Sequence, residues 1–102
     1  MVYAFTQDVP LDEAGYRRVM STLGSVPLEG LLLHLCVRRE DGGLRYIDLW
    51  ESEEACTYAF DNRIHDAVDA AFGGARPGTE PTVNHLDIID ATGPLASGIA
   101  LG

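Results

Sequence analysis

The chain alternates strand-like and helix-like hydrophobic spacing twice, and this order restricts its possible folds more than any other feature. The turn sequence Asp41-Gly42-Gly43 joins the two halves as a hairpin. Period-two segments predict strands at 2–7, 29–39, 44–51 and 82–90, and period-3.6 segments predict helices at 12–23 and 53–72. Right-handed crossovers put both helices on one face of a four-stranded sheet. The sequence therefore predicts one α+β domain over residues 1–90, of ferredoxin-like βαββαβ layout with an antiparallel sheet, and a C-terminal tail over residues 91–102.

The net charge of the chain limits the kinds of molecule that we expect it to bind. Sixteen acidic residues face seven basic ones, which gives a net charge of −9. Such an acidic protein repels phosphate backbones and anionic bilayers, so we expect no nucleic-acid partner and no membrane partner. The longest apolar stretch, Leu31 to Val37, is too short to cross a bilayer, and the first residues do not resemble a signal peptide. We therefore expect a cytoplasmic protein whose cysteines are not in disulfides.

The hairpin register decides which side chains share a face of the sheet, because side chains alternate along a strand. A three-residue loop over residues 41–43, with a glycine in the left-handed conformation, would pair Glu40 with Leu44. It would also set His34 opposite Trp50, Cys36 opposite Asp48 and Arg38 opposite Tyr46. The other face would then carry only apolar side chains: Leu31, Leu33, Leu35, Val37, Ile47 and Leu49. We expect this apolar face under the helices, since burying Asp48 there would be costly.

The opposite, open face would then hold aromatic and ionisable side chains. A surface with that much apolar area should be covered, so we predict a homodimer in which two sheets enclose a cavity in each protomer. Two histidines on this face, His34 and His85, are candidate catalytic bases. The candidate ligand-binding residues are Tyr46, Asp48, Trp50, Asp87, Cys36, Arg38 and Phe5. Because the histidines show no metal-ligand spacing, we expect no metal.

Several short motifs in this order carry a family resemblance. Leu49-Trp50-Glu51-Ser52 leads into Glu54-Ala55 and Phe60, and Glu80-Pro81 precedes the last strand. With these motifs the chain resembles the dimeric α/β-barrel superfamily, in particular the antibiotic-biosynthesis-monooxygenase-like domains. The resemblance covers most of residues 1–90 and implies a ferredoxin-like fold and a homodimer with two cavities. It also implies a histidine after the strand-three tryptophan and an asparagine on strand one, where this chain offers only His65, a turn late, and Gln7.

Together these features predict a protein that binds a small hydrophobic or aromatic molecule. The resemblance implies a cofactor-independent monooxygenase, so no cofactor is expected. In that hypothesis His34 or His85 takes a proton from a phenol or polyketide-like substrate held by Trp50 and Tyr46, and the anion reacts with oxygen. The alternatives are a non-catalytic ligand-binding or sensing dimer and a haem-binding or haem-degrading protein.

Overall fold

The computed structural model describes residues 2–74, 82–94 and 96. In chain order the elements are β1 (Tyr3–Val9), α1 (Glu13–Leu23), β2 (Leu31–Arg38), β3 (Leu44–Trp50), α2 (Glu53–Ala59), a π-helical segment (Phe60–Ile64), α3 (His65–Ala71) and β4 (Val83–Leu86). The strands form one sheet in the order β2-β3-β1-β4, and every neighbouring pair is antiparallel. This is the predicted ferredoxin-like α+β fold. The Glu80-Pro81 motif and most of the predicted tail lie outside the described residues.

Local sequence signals account for the helix ends. The Asp12 side chain accepts a hydrogen bond of 2.7 Å from the amide of Gly15, and Ser52 caps α2 in the same way through the amide of Ala55 at 3.1 Å. Gly24, with φ of 84°, ends α1. The predicted second helix is interrupted by the π-helical segment, which the hydrophobic spacing did not indicate.

The π-helical segment connects the second helix, which consists of α2, this segment and α3, to the loop after α1. Its Arg63 guanidinium donates to the carbonyl oxygens of Leu23, Val26 and Pro27, at 3.4, 3.0 and 2.9 Å. These contacts supply donors to the end of α1, where the last carbonyls have no partner within the helix. These contacts couple the position of α1 over the sheet to the position of the second helix.

The hairpin has the expected three-residue loop, but the loop is centred one residue earlier than predicted. A backbone hydrogen bond of 2.7 Å from Arg39 to Gly43 closes the loop over residues 40–42, and Gly42 takes the left-handed conformation with φ of 89°. The Asp41 carboxylate fixes this turn by accepting the amide of Gly43 at 2.9 Å. The predicted pairs of His34 with Trp50, Cys36 with Asp48 and Arg38 with Tyr46 are therefore wrong by two positions. The observed pairs are His34 with Asp48, Cys36 with Tyr46, and Arg38 with Leu44.

A shift of two positions keeps the two sets of side chains together, but the helices cover the opposite set from the one predicted. The α1 residue Tyr16 bonds to His34, and Phe60 packs against Trp50 at a ring separation of 6.3 Å. The face with His34, Asp48 and Trp50 therefore lies under the helices. Of the apolar set assigned to that side, only Leu31 packs there, because a β-bulge between Leu31 and Leu33 shifts its pairing.

Aromatic and small apolar side chains build the core on the helix-covered face. Phe5, Trp50, Cys56 and Ala59 form its buried centre, and Trp50 has no exposed surface. The approach of Gly30 to α2 closes one end, because a Cβ at this position would meet the Ala55 side chain at 2.5 Å. The core therefore holds the second helix close to β3 and β1, the two middle strands of the sheet.

The other face of the sheet, which we call the open face, is mostly apolar. Its β2 and β3 side chains are Leu33, Leu35, Val37, Ile47 and Leu49, and β1 and β4 add Ala4, Thr6, Asn84 and Leu86. Leu35 is 43% exposed and Leu86 42%. Asp8 and Arg45 form an ion pair at one end, with an oxygen–nitrogen distance of 2.6 Å. The helices in the described part of the chain do not cover this face.

Candidate functional site

The carboxylate of Asp48 is the most unusual polar group under the helices. Only 3% of the residue is exposed, on the middle strand β3. Its Oδ1 lies 2.6 Å from Nδ1 of His34, and its Oδ2 accepts the indole N–H of Trp50 at 3.2 Å. A buried carboxylate needs such donors to offset its loss of hydration. The cross-strand pair with His34 and the neighbouring indole provide them, so this position tolerates an aspartate.

His34 links the buried carboxylate to the surface of the domain. Its Nε2 is 3.0 Å from the hydroxyl of Tyr16 on α1, and 20% of its side chain is exposed. Because a carboxylate only accepts hydrogen bonds, a neutral His34 must carry its proton on Nδ1. Its Nε2 is then an acceptor for the Tyr16 hydroxyl. The result is a continuous hydrogen-bonded chain from Tyr16 through His34 and Asp48 to Trp50, which we call the polar chain.

Two tyrosine rings enclose the imidazole of His34. Tyr46 meets it edge-on at a centroid separation of 4.9 Å, and Tyr16 lies nearly parallel to it at 6.2 Å. Burial raises the pKa of both phenols, with nearby Cys36 as a further cause. Both hydroxyls therefore stay protonated at neutral pH. Where His34 is neutral, Tyr16 is thus the hydrogen-bond donor to it.

Charged and sulfur-containing side chains surround the partly exposed end of the polar chain. Arg38 forms an ion pair with Glu13 on α1, and Arg17 lies 3.8 Å from the same carboxylate. Cys36 is half-buried on the face shared with Tyr46 and His34, and burial raises the pKa of its thiol. Cys56 lies in the core, where burial raises the pKa of its thiol to about 12. Neither thiol is an activated nucleophile.

The second histidine base candidate is separated from the first. His85 is on β4 and His34 on β2, the two edges of the sheet, so about 14 Å of sheet lies between the strands. His85 is exposed and contacts the ring of Tyr3 at 5.3 Å. Asp87 is exposed and lies beyond the end of β4. The expected single constellation of two histidines and two aspartates is therefore wrong, and only His34 and Asp48 meet.

The remaining candidates divide between the core and the site. Phe5 is a core residue with its ring 6.4 Å from that of Phe60. Trp50 is also core, but its indole N–H belongs to the polar chain. Gln7 is buried opposite Tyr46 on the same face. His65, the first residue of α3, contacts the ring of Phe60 edge-on at a centroid separation of 5.7 Å.

Tyr16 is not among the site residues that the sequence predicts. Its spacing with Val19, Met20 and Leu23 places it on one apolar stripe of the helix, which suits its ring but takes no account of its hydroxyl. A buried tyrosine hydroxyl usually has a hydrogen-bond partner. With the polar sheet face correctly placed under α1, that rule would have indicated His34 or Asp48.

The described residues contain neither a metal site nor a membrane-spanning helix. Within residues 2–74, 82–94 and 96, no group of three or more metal-ligating side chains is close enough to hold an ion. Over the same part of the chain, no helix is both long and apolar enough to span a bilayer.

Comparison with known proteins supports the fold. No family model and no curated protein matches the sequence. A crystal structure from Chloroflexus aurantiacus J-10-fl, provisionally named an antibiotic biosynthesis monooxygenase, superposes with a TM-score of 0.62. The match covers 91% of this chain and 98% of the other at 11% identity. The fold of this chain is therefore similar to the fold of that protein. At this identity the likeness establishes the fold and does not establish the activity.

Proposed function

We propose that this protein binds a small phenolic or related aromatic molecule beside His34, and that His34 with Asp48 is its base. The observation that carries this proposal is the 2.6 Å contact between His34 Nδ1 and a carboxylate that is only 3% exposed. A carboxylate in this position orients the imidazole and stabilises the imidazolium that forms when Nε2 takes a proton. The tyrosine rings on either side offer flat apolar surfaces to an aromatic ligand.

The same base is suited to a cofactor-independent oxidation. Removal of a proton from a phenol-activated methylene group would give a carbanion and an imidazolium at His34. Dioxygen would add to that carbon, and the hydroperoxide formed after protonation would lose water to leave a carbonyl group. The substrate carbon is oxidised, dioxygen is reduced to the carbonyl oxygen and one water molecule, and His34 is restored as the neutral base. The likeness to the provisionally named Chloroflexus aurantiacus J-10-fl monooxygenase supports this reaction class by analogy.

Ligand binding can be tested with para-nitrophenol, measured by calorimetry. His34→Gln is expected to weaken its affinity by about tenfold, because a hydrogen bond to a charged or ionising group is lost. His85→Gln is the comparison variant and should leave affinity unchanged, since β4 lies at the other edge of the sheet. Weaker binding in His85→Gln with normal binding in His34→Gln would assign the site to the wrong histidine.

We also propose that a second copy of the chain covers the open face. The support is the row of apolar side chains on β2 and β3, among which Leu35 is 43% exposed, while the helices of the described residues pack on the other face. An apolar sheet face with the Asp8–Arg45 pair at its end has the composition of a dimer interface, with an apolar centre and a charged rim.

Light scattering on a sizing column tests the dimer. The expected mass is about twice the 11.0 kDa of the chain at micromolar concentration. Leu35→Glu should give the monomer, because it places a charge among the apolar side chains of the interface. Val26→Glu, at a loop position that is 68% exposed, is the matched control and should remain dimeric. A monomeric unmodified protein would contradict this proposal but not the proposed base.

A further inference from the structure

The hydroxyl of Tyr16 occupies the only lone pair that a neutral His34 has available as a base. The Oδ1 atom of Asp48 lies 2.6 Å from Nδ1, and the hydroxyl oxygen of Tyr16 lies 3.0 Å from Nε2. An incoming molecule therefore meets Tyr16 before it meets the imidazole. Either Tyr16 must move away for direct contact, or the proton must pass through its oxygen.

The surroundings of Tyr16 favour the second possibility. Its ring is packed nearly parallel to that of His34 and edge-on to that of Tyr46 at 5.7 Å, so these two rings constrain its position. It projects from the first turns of α1, whose start is fixed by the Asp12 cap and by the ion pair of Glu13 with Arg38 across to β2. Moving the hydroxyl away from Nε2 would disturb these contacts, whereas a proton transfer through it moves no heavy atom.

From this geometry we infer that Tyr16 is the catalytic residue that touches the ligand, as the outer member of a proton relay of Tyr16, His34 and Asp48. The inference rests on the proposed function and deepens it. The acidic O–H or C–H bond of the ligand breaks and its proton goes to the Tyr16 oxygen. At the same time the Tyr16 O–H bond breaks and that proton goes to His34 Nε2. The products are a ligand anion and an imidazolium whose Nδ1–H remains bonded to the Asp48 carboxylate.

The relay also defines the class of ligand. A neutral phenolic oxygen would sit within hydrogen-bond distance of the Tyr16 oxygen, and its ring would extend over the tyrosine rings beside His34. Arg17 and Arg38 lie around the same end of the polar chain, where Glu13 balances part of their charge, and they favour the ionised form of the ligand. Weakly acidic phenols and their vinylogous carbon acids fit this arrangement.

The test measures how much of the bound para-nitrophenol is ionised, because its phenolate absorbs visible light and its phenol does not. At a pH where the free probe is mostly neutral, the full-length protein should bind it with a strong phenolate band. Tyr16→Phe keeps the ring and removes only the hydroxyl, so the ionised fraction of bound probe should fall by about tenfold while binding remains. His34→Gln should lose the band to the same extent. Tyr58→Phe, at a position that is 65% exposed, is the matched control and should keep it.

Each other outcome is decisive. If Tyr16→Phe keeps or strengthens the phenolate band while His34→Gln loses it, His34 acts directly, and the relay is wrong although the proposed base stands. If the unmodified protein binds the probe only as the neutral phenol, or does not bind it, the proposed base itself is wrong. Circular dichroism of the Tyr16→Phe protein should match that of the unmodified protein, which separates loss of the hydroxyl from loss of the fold.

Discussion

Trp50→Ala is expected to lower the free energy of unfolding by about 3–5 kcal/mol, the range for truncating a buried tryptophan. Trp50 has no exposed surface and packs against Phe60 and the other core residues at the centre of the sheet. A domain of this size is stabilised by about 5–15 kcal/mol, so the loss should be a large fraction of its whole stability. Urea denaturation followed by far-ultraviolet circular dichroism measures the change.

The control is Trp50→Phe, which keeps an aromatic ring in the core. It should lose less stability than Trp50→Ala, because only part of the ring volume and the N–H bond to Asp48 are removed. A loss below about 1 kcal/mol in Trp50→Ala would mean that the residue is not in the core. That result would restore the sequence-based expectation that this face of β3 is open.

Asp48→Ala should lower the free energy of unfolding by about 2–4 kcal/mol, because the N–H groups of His34 and Trp50 both lose their acceptor in a buried site. Asp48→Asn separates this structural role from the base. Its amide oxygen can still accept one N–H, and its NH₂ group can donate to Nδ1 of His34. The imidazole would then carry its proton on Nε2, where it cannot accept from Tyr16.

Asp48→Asn is therefore expected to remain folded, losing about 1 kcal/mol, and yet to bind para-nitrophenol only in its neutral form. Thermal unfolding and the phenolate band measure the two effects on one sample. A folded Asp48→Asn protein with the normal band would show that Asp48 is structural only. An unfolded one would leave the assignment to His34→Gln, whose glutamine lies at the partly exposed end of the polar chain.

Much of the fold follows from local sequence signals. Asp12 and Ser52 at the helix starts and Gly42 in the hairpin each have a short-range physical preference that no distant residue needs to complete. The two sets of alternating side chains on β2 and β3 were also predictable, because parity survives a shift of two positions. The π-helical segment was not, since its Phe60 and Arg63 contacts depend on the sheet and on the loop after α1.

The sequence does not predict which face of the sheet lies under the helices, because the free energy of burying Asp48 depends on its hydrogen-bond partners as well as on the residue itself. In the structure His34 and Trp50 both donate to it, which removes most of that cost. A row of leucines such as Leu33, Leu35 and Leu49 can be buried against a second chain as well as against helices of its own. The choice between the two arrangements depends on contacts between elements far apart in sequence, which hydrophobic spacing does not record.

The most direct test of the central claim is NMR of the imidazole nitrogens of the three histidines during titration with para-nitrophenol. We expect that His34 in the free protein carries its proton on Nδ1, that both of its nitrogens become protonated when the probe binds, and that His65 and His85 do not change. A free protein with the His34 proton on Nε2, or a response at His85 instead of His34, would contradict this expectation.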